Sequence, residues 1–254
     1  MKKLNTRDIR AGKGKHLQML TCYDYPTARL LNETDVDMIL VGDSLGSVVL
    51  GYDTTIPVTP EVMEIFGQAV KRGAKDKFVI VDMPFGSYGT HSQGLRVGAR
   101  LFQQTGTEAV KLEGANPTEL TIIKRLTEMG VAVMGHIGLT PQSVHQLGGY
   151  FTHGKTPDKA KIIREEALRL QDAGCFSIVL ECVEESLSTS ITKELSIPTI
   201  GIGSGYQTDG QVLVINDLLK MNPDRPPKFV APVADLYTTK KELIDQYLKD
   251  QRRK

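Results

Sequence analysis

The chain alternates short apolar runs with amphipathic segments along most of its 254 residues. This alternation is typical of parallel α/β folds, in which a helix follows and covers each buried strand. Its length is close to the roughly 250 residues of one α/β barrel, and about eight runs indicate strands, the number such a barrel needs. The predicted strands are 18–22, 38–42, 78–83, 109–113, 131–136, 177–182, 198–202 and a weaker 211–215. We therefore predict a single-domain (β/α)8 TIM-type barrel over residues 1–254.

Four of the intervening segments carry helix signals. Segments 59–73 and 116–130 place Pro near the first turn and Gly at the end, the usual asymmetry of helix termini. A third helix is predicted over 157–174, with a charged outer face, and a last one over 240–248. No linker or low-complexity stretch breaks this order, so one domain is expected.

Charge and composition exclude several classes of partner. The 31 Lys and Arg residues balance 30 Asp and Glu residues, which argues against nucleic-acid and membrane partners and leaves small-molecule substrates. The chain has no run of about 18 apolar residues, and its first residues lack the apolar core of a signal peptide. Its three scattered cysteines fit a reducing compartment. We expect a cytoplasmic protein.

The predicted strand at 109–113 carries two ionisable residues where a buried strand should be apolar. Side chains alternate along a strand, so Lys111 and Glu113 share one face while Val110 and Leu112 take the other. Unpaired buried charge is costly, so this face needs polar partners or bound ions. One interpretation is an intrastrand salt bridge at a sheet edge. The other is a functional site, because active sites of barrels lie at strand ends.

Other predicted strands also finish in polar residues. In a parallel barrel all such ends lie on one rim, where ligands bind, and five strands ending in ionisable groups are hard to attribute to chance. These residues are Asp43 and Ser44, Asp82, Lys111 and Glu113, His136, and Glu181.

Asp43, Asp82 and Glu113 would offer hard oxygen ligands from three strands. This donor set suits Mg2+, which is usually held by one or two carboxylates and keeps positions for water and substrate. An alternative is that Asp43 and Asp82 cap the helices that follow them, because Asp is a preferred N-cap residue.

A metal ion with free positions could bind the carboxylate and keto oxygens of a 2-oxo acid and favour its enolate. Lys111 would offset further negative charge, and Glu181, two strands away, could take the proton. Lys111 could instead form a Schiff base, but Glu113 on the same face would keep it protonated, which argues against that chemistry. His136 is either a substrate contact or a structural histidine. The glycines of 201–205 predict a tight turn at the rim more than an anion site.

Six motifs in one order resemble the ketopantoate hydroxymethyltransferase family. They are VGDSLG at 41–46, DMPFGSY at 82–88, VKLEG at 110–114, GHIGLTPQS at 135–143, LECV at 180–183 and DGQVLV at 209–214. The similarity runs from about residue 17 to residue 230. Any one motif alone would be weak, whereas the ordered set is specific.

The resemblance implies a (β/α) barrel that binds Mg2+ and transfers a hydroxymethyl group from 5,10-methylenetetrahydrofolate to 3-methyl-2-oxobutanoate, giving 2-dehydropantoate in pantothenate biosynthesis. It implies Asp43, Asp82 and Glu113 as metal residues, the last bound directly or through water. Asp43, Ser44, Asp82 and Lys111 would contact the keto acid. The resemblance also implies that Glu181 is the proton acceptor and that the protein is a homo-oligomer, commonly a decamer.

Two other functions stay open from the residues themselves. One is a different metal-dependent enolate enzyme on a similar barrel, such as a 2-oxo acid carbon–carbon lyase or a phosphoenolpyruvate mutase, which would not depend on folate. The other is a silent metabolite-binding barrel, in which the rim carboxylates would be broken; here all are present.

Overall fold

The computed structural model describes residues 3–252. Eight parallel strands form a closed barrel in chain order, which confirms the predicted fold class. Each predicted strand overlaps an observed one, with ends shifted by up to two residues. The strands are β1 Leu17–Thr21, β2 Met38–Val41, β3 Phe78–Asp82, β4 Ala109–Glu113, β5 Val133–Gly138, β6 Ser177–Glu181, β7 Thr199–Ile202 and β8 Gly210–Leu213.

The register of the strands brings polar residues of neighbouring strands side by side. Asp82 of β3 pairs with Lys111 of β4, and Glu113 of β4 pairs with His136 of β5. At the next boundary Gly138 of β5 pairs with Glu181 of β6. The ionisable groups therefore cluster on adjacent strands at the carboxyl end of the barrel.

The interior below these groups is apolar and closely packed. Met19, Met38, Ile80 and Met134 belong to one buried cluster that fills the barrel. Phe78 meets Phe176 edge to face, with ring centroids 5.5 Å apart, a favourable arrangement for aromatic pairs. This packed layer fills the barrel below the polar residues, so the interior is a core and not a pore.

Helices follow the strands along the chain, and the four predicted helices are all present with modest shifts of their ends. Helix α4 begins at Pro60 after Thr59, whose side chain accepts a hydrogen bond from the Val62 N–H. The helices are α1 Thr6–Arg10, α2 Tyr25–Asn32, α3 Leu45–Val48, α4 Pro60–Gly73, α5 His91–Thr105, α6 Pro117–Glu128, α7 Val144–Leu147, α8 Pro157–Asp172, α9 Glu185–Glu194, α10 Ile215–Leu218 and α11 Leu236–Gln251.

Contacts within the chain define two compact units, one that runs to Val212 and one that starts at Leu213. The second contains α10 and α11, and none of the residues of α11 is buried. A single domain over 1–254 stays a prediction, and its outermost residues, 1–2 and 253–254, lie outside the described residues. Within residues 3–252, no helix has both the length and the apolarity needed to cross a membrane.

Candidate active site

Lys111 and Asp82 form a buried ion pair at the carboxyl end of the barrel. Lys111 Nζ lies 3.0 Å from Asp82 Oδ1, and both side chains are almost fully buried. The strand that carries Lys111 lies between β3 and β5 in a closed barrel, so the interpretation as an intrastrand pair at a sheet edge is wrong. The ion pair joins two strands, as their register requires.

The charge of Lys111 is set by three carboxylates. Burial alone would lower the pKa of this ammonium, but Asp82, Glu113 and Asp43 outweigh it and raise the pKa above its ordinary value. A protonated amine is not a nucleophile. This supports the earlier argument against a Schiff base.

Asp43 faces Asp82 from the end of the neighbouring strand. The Asp43 backbone N–H donates to Asp82 Oδ2 at 3.1 Å. Burial first, and then the Asp82 charge, raise the pKa of the Asp43 carboxyl to about 7. The alternative of helix capping is not supported, because α3 and α5 have Ser44 and Thr90 at their N-cap positions.

Gln142 forms hydrogen bonds to both Asp43 and Glu113. The sequence did not predict this role, because Gln142 stood out only as one residue of the motif at 135–143. Its Nε2 donates to Asp43 Oδ2 at 2.7 Å and to the Met83 carbonyl at 3.0 Å. Its backbone N–H donates to Glu113 Oε2 at 3.1 Å. The residue is buried in the turn after β5, where no apolar pattern marks its role. The only signal in the sequence for this residue was its position directly after a Pro, shortly after a predicted strand.

His136 lies between Lys111, Glu113 and Glu181. The expectation that it ends its strand is wrong, because β5 continues to Gly138. Its Nδ1 is 3.3 Å from Lys111 Nζ and 3.5 Å from Glu113 Oε1. An ammonium can only donate, so Nδ1 accepts and the ring proton is on Nε2. Burial and then Lys111 lower the pKa of His136, which favours this neutral form.

Glu181 ends β6 and faces the same imidazole. Its Oε2 lies 3.2 Å from His136 Nε2, a close approach without hydrogen-bond geometry. The Glu181 side chain is 17% exposed, whereas that of Glu113 is 4% exposed. Of these two carboxylates, Glu181 is therefore the one more open to an incoming molecule.

Ser44 and Gly42 complete the rim around Asp82. The Ser44 hydroxyl is 2.8 Å from the Tyr23 hydroxyl, which fixes its direction. A Cβ at position 42 would lie 2.8 Å from Ser44 Oγ, so any residue other than glycine would have to move the Ser44 hydroxyl. Residues 201 and 202 end β7, and the chain bends at 203–204, where the buried Ser204 hydroxyl donates to the Leu180 carbonyl. The predicted turn is therefore present only in the second half of the segment 201–205.

The donor set at Asp43 and Asp82 fits a divalent cation. Both carboxylates are buried, and Asp82 Oδ1 meets the Lys111 ammonium at 3.0 Å. No group of three or more His, Cys, Asp or Glu side chains in residues 3–252 meets as a complete metal-ligand set. Two carboxylates with remaining positions for water and substrate are the arrangement common for Mg2+.

Comparison with known families and sequences gives a consistent result. The family model described as ketopantoate hydroxymethyltransferase matches residues 3–254. The 3-methyl-2-oxobutanoate hydroxymethyltransferase of Bacillus cereus (strain AH187) is 49% identical over 93% of this chain and 85% of its own length. The Bdellovibrio bacteriovorus protein of the same name is 49% identical over 96% of this chain and 92% of its own.

Solved structures of low sequence identity share the fold. A putative phosphonomutase from Burkholderia cenocepacia J2315 has a TM-score of 0.66 at 13% identity, over 97% of this chain and 100% of that one. A 2,3-dimethylmalate lyase of the PEP mutase/isocitrate lyase superfamily has a TM-score of 0.61 at 14% identity, over 83% and 78%. At this identity they establish the barrel architecture alone.

Proposed function

The chain belongs to the ketopantoate hydroxymethyltransferase family and is an enzyme; on that premise we propose its reaction in detail. It transfers a hydroxymethyl group from 5,10-methylenetetrahydrofolate to 3-methyl-2-oxobutanoate, giving 2-dehydropantoate for pantothenate and coenzyme A synthesis. One observation carries the proposal. The buried, charged Lys111 lies among carboxylates of neighbouring strands. The more exposed carboxylate of Glu181 faces His136 at the same rim.

Asp43 and Asp82 would hold Mg2+, with Glu113 bound to it directly or through water. The support is the hard oxygen donor set, its burial, and the approach of Asp43 to Asp82, whose Oδ2 accepts from the Asp43 N–H at 3.1 Å. When bound, the ion supplies Lewis acidity toward the oxygens of a 2-oxo acid.

The keto acid would lie between Lys111, Ser44 and the two aspartates. It is an anion, and the Lys111 ammonium keeps its charge because its pKa is raised. Lys111 therefore binds the substrate and offsets the negative charge that develops when the substrate loses a proton. The Ser44 hydroxyl, oriented by Tyr23, offers a further polar contact.

Glu181 would remove the C3 proton of the keto acid. Its carboxylate is the more exposed one on the rim, and His136 Nε2 beside it limits its position. C3 then forms a bond to the folate methylene carbon as that carbon leaves the folate nitrogens. One water balances the reaction: its hydroxyl goes to the transferred carbon. The remaining water proton and the C3 proton bind to the two folate nitrogens, which gives tetrahydrofolate.

We also propose that the protein acts as a homo-oligomer, with a decamer as the expected form, in the cytoplasm. The support for assembly is α11, whose apolar side chains are exposed. Leu243, Ile244 and Tyr247 are 66%, 59% and 62% exposed. Exposed apolar groups that lie together on a helix usually mark a protein contact.

The test is an assay for 2-dehydropantoate with and without Mg2+ and methylenetetrahydrofolate. We expect product only when both are present, and we expect Asp43→Ala to lose the Mg2+-dependent turnover. Product formation without folate, or cleavage of a 2-oxo acid in its place, would contradict the proposed reaction. Undiminished Mg2+-dependent turnover by Asp43→Ala would remove that residue from the metal site.

A further inference from the structure

A cavity of about 700 Å3 opens beside the site described above. The loops after β3, β4 and β5 form its inner walls, and α8 forms its outer wall. It shares Glu113 and Gln142 with the catalytic rim, so a molecule bound there would reach the keto acid from the side. Its volume lies within the range of small-molecule sites and exceeds what a small keto acid needs.

Two polar atoms of this cavity have no partner among the described residues. Glu119 Oε2 and His153 Nε2 are both buried and make no hydrogen bond there. A buried polar atom left unpaired is costly, so such atoms call for an explanation. Glu119 lies in the first turn of α6, where the partial positive charge of the helix N-terminus stabilises a carboxylate. That preference explains its presence in the turn but not its burial without a donor.

Glu119 is held next to the catalytic rim by the chain itself. A Cβ at Gly114 would lie 3.5 Å from Glu119 Cδ, so the carboxylate packs against the residue that follows Glu113. Gly114 has a φ of +98°, a backbone conformation that residues with a side chain rarely adopt. The positive φ therefore explains the glycine at this position, and Glu119 packs against it at van der Waals distance.

Aromatic side chains line the same cavity. Phe85, Tyr88 and Phe151 contribute to its walls, and Phe151 stacks on His153 with ring centroids 4.5 Å apart. Phe85 and Phe151 are 48% and 42% exposed, so their faces are available to a flat ring. Lys159, an exposed residue of α8, also lines the cavity and can meet an anionic tail.

These features suit a reduced pterin with an acidic tail. The pterin ring carries an N–H and an amino group side by side, and one carboxylate can accept hydrogen bonds from both. Its flat faces suit the aromatic walls, and the carboxylates of its glutamate tail suit Lys159. We propose that this cavity binds the folate one-carbon donor, with Glu119 accepting the paired donors of the pterin ring. This inference rests on the proposed function, because it takes the donor from that reaction.

The test is Glu119→Gln in the full-length enzyme, with Glu128→Gln at the other end of α6 as the matched control. Glu128 is exposed and does not line the cavity. We expect the KM for methylenetetrahydrofolate to rise roughly 10- to 100-fold in Glu119→Gln, the effect of losing a charged hydrogen bond. The KM for the keto acid should change less than about twofold. Binding of tetrahydrofolate alone, measured by calorimetry, should weaken in parallel.

A second readout separates this inference from the proposed function. Deuterium exchange at C3 of the keto acid, measured without folate, reports the keto-acid site alone and should persist in Glu119→Gln. If the variant exchanges normally but keeps its affinity for folate, the cavity assignment is wrong. Loss of exchange together with unchanged tetrahydrofolate binding would also overturn it. If the unmodified enzyme itself neither exchanges nor forms product, the proposed function fails instead.

Discussion

Individual ionisable residues of the rim were predictable because they interrupt apolar strands. Lys111 and Glu113 in β4 could not be ordinary core residues, and the strand register places each beside a polar residue of a neighbouring strand. The hydrogen bonds that join them were not predictable. Gln142 bonds Asp43 and Glu113 from a turn, and nothing in local spacing reveals which residue of a turn points inward.

Gln142→Ala tests this connection at the residue scale. The change removes a hydrogen bond to the buried Asp43 carboxylate, an interaction worth about 1.5–3 kcal/mol. We expect kcat/KM for product formation to fall roughly 10- to 100-fold. Gln68→Ala is the control, because that side chain also donates to a backbone carbonyl but lies on α4, outside the rim. A Gln142→Ala enzyme with kinetics equal to those of the control would contradict the role.

At the scale of elements, helices with clear end signals were predicted and α5 was not. Its glycines weaken the helical pattern, since Gly lowers helix propensity by about 1 kcal/mol. The structure shows why they are present. A Cβ at Gly94 would lie 2.5 Å from Ile122 Cδ1, and one at Gly98 would lie 2.9 Å from Leu126 Cδ1. The close packing of α6 requires these glycines, and only the tertiary structure reveals it.

Gly73→Ala tests close packing between α4 and α2. The added Cβ would lie 2.7 Å from both Ala28 Cβ and the Tyr25 carbonyl oxygen, and backbone atoms cannot move aside cheaply. We expect a loss of about 1–3 kcal/mol of stability, seen as a lower thermal midpoint. Gly89→Ala is the control, because its Cβ would meet only Gln93 Oε1 at 3.7 Å. Equal midpoints for the two variants would show that the packing is looser than described.

At the scale of the whole molecule, the sequence indicated a barrel because eight strands and the chain length agree with it. The assembly was implied only by resemblance, since one chain does not show what covers an exposed face. Helix α11 presents such a face, and none of its residues is buried. The sequence predicted a helix over 240–248, but its pattern does not identify the partner of its apolar side.

Ile244→Glu tests whether α11 takes part in assembly. The side chain is 59% exposed in the single chain, so a charge there should leave the helix intact while disturbing an apolar contact between copies. We expect a smaller mass by light scattering at equal protein concentration. Gln246→Glu adds the same charge to the polar side of α11 and should keep the mass of the unmodified protein. An unchanged mass for Ile244→Glu would argue against α11 as a contact.

The central claim is that Glu181 takes the C3 proton of a keto acid held by Lys111 and the rim carboxylates. The most direct measurement is the exchange of C3 hydrogen for solvent deuterium in 3-methyl-2-oxobutanoate, followed by NMR without folate. We expect Mg2+-dependent exchange by the unmodified enzyme and none by Glu181→Gln, with keto-acid binding by the variant retained. Exchange at the normal rate in Glu181→Gln would contradict the account.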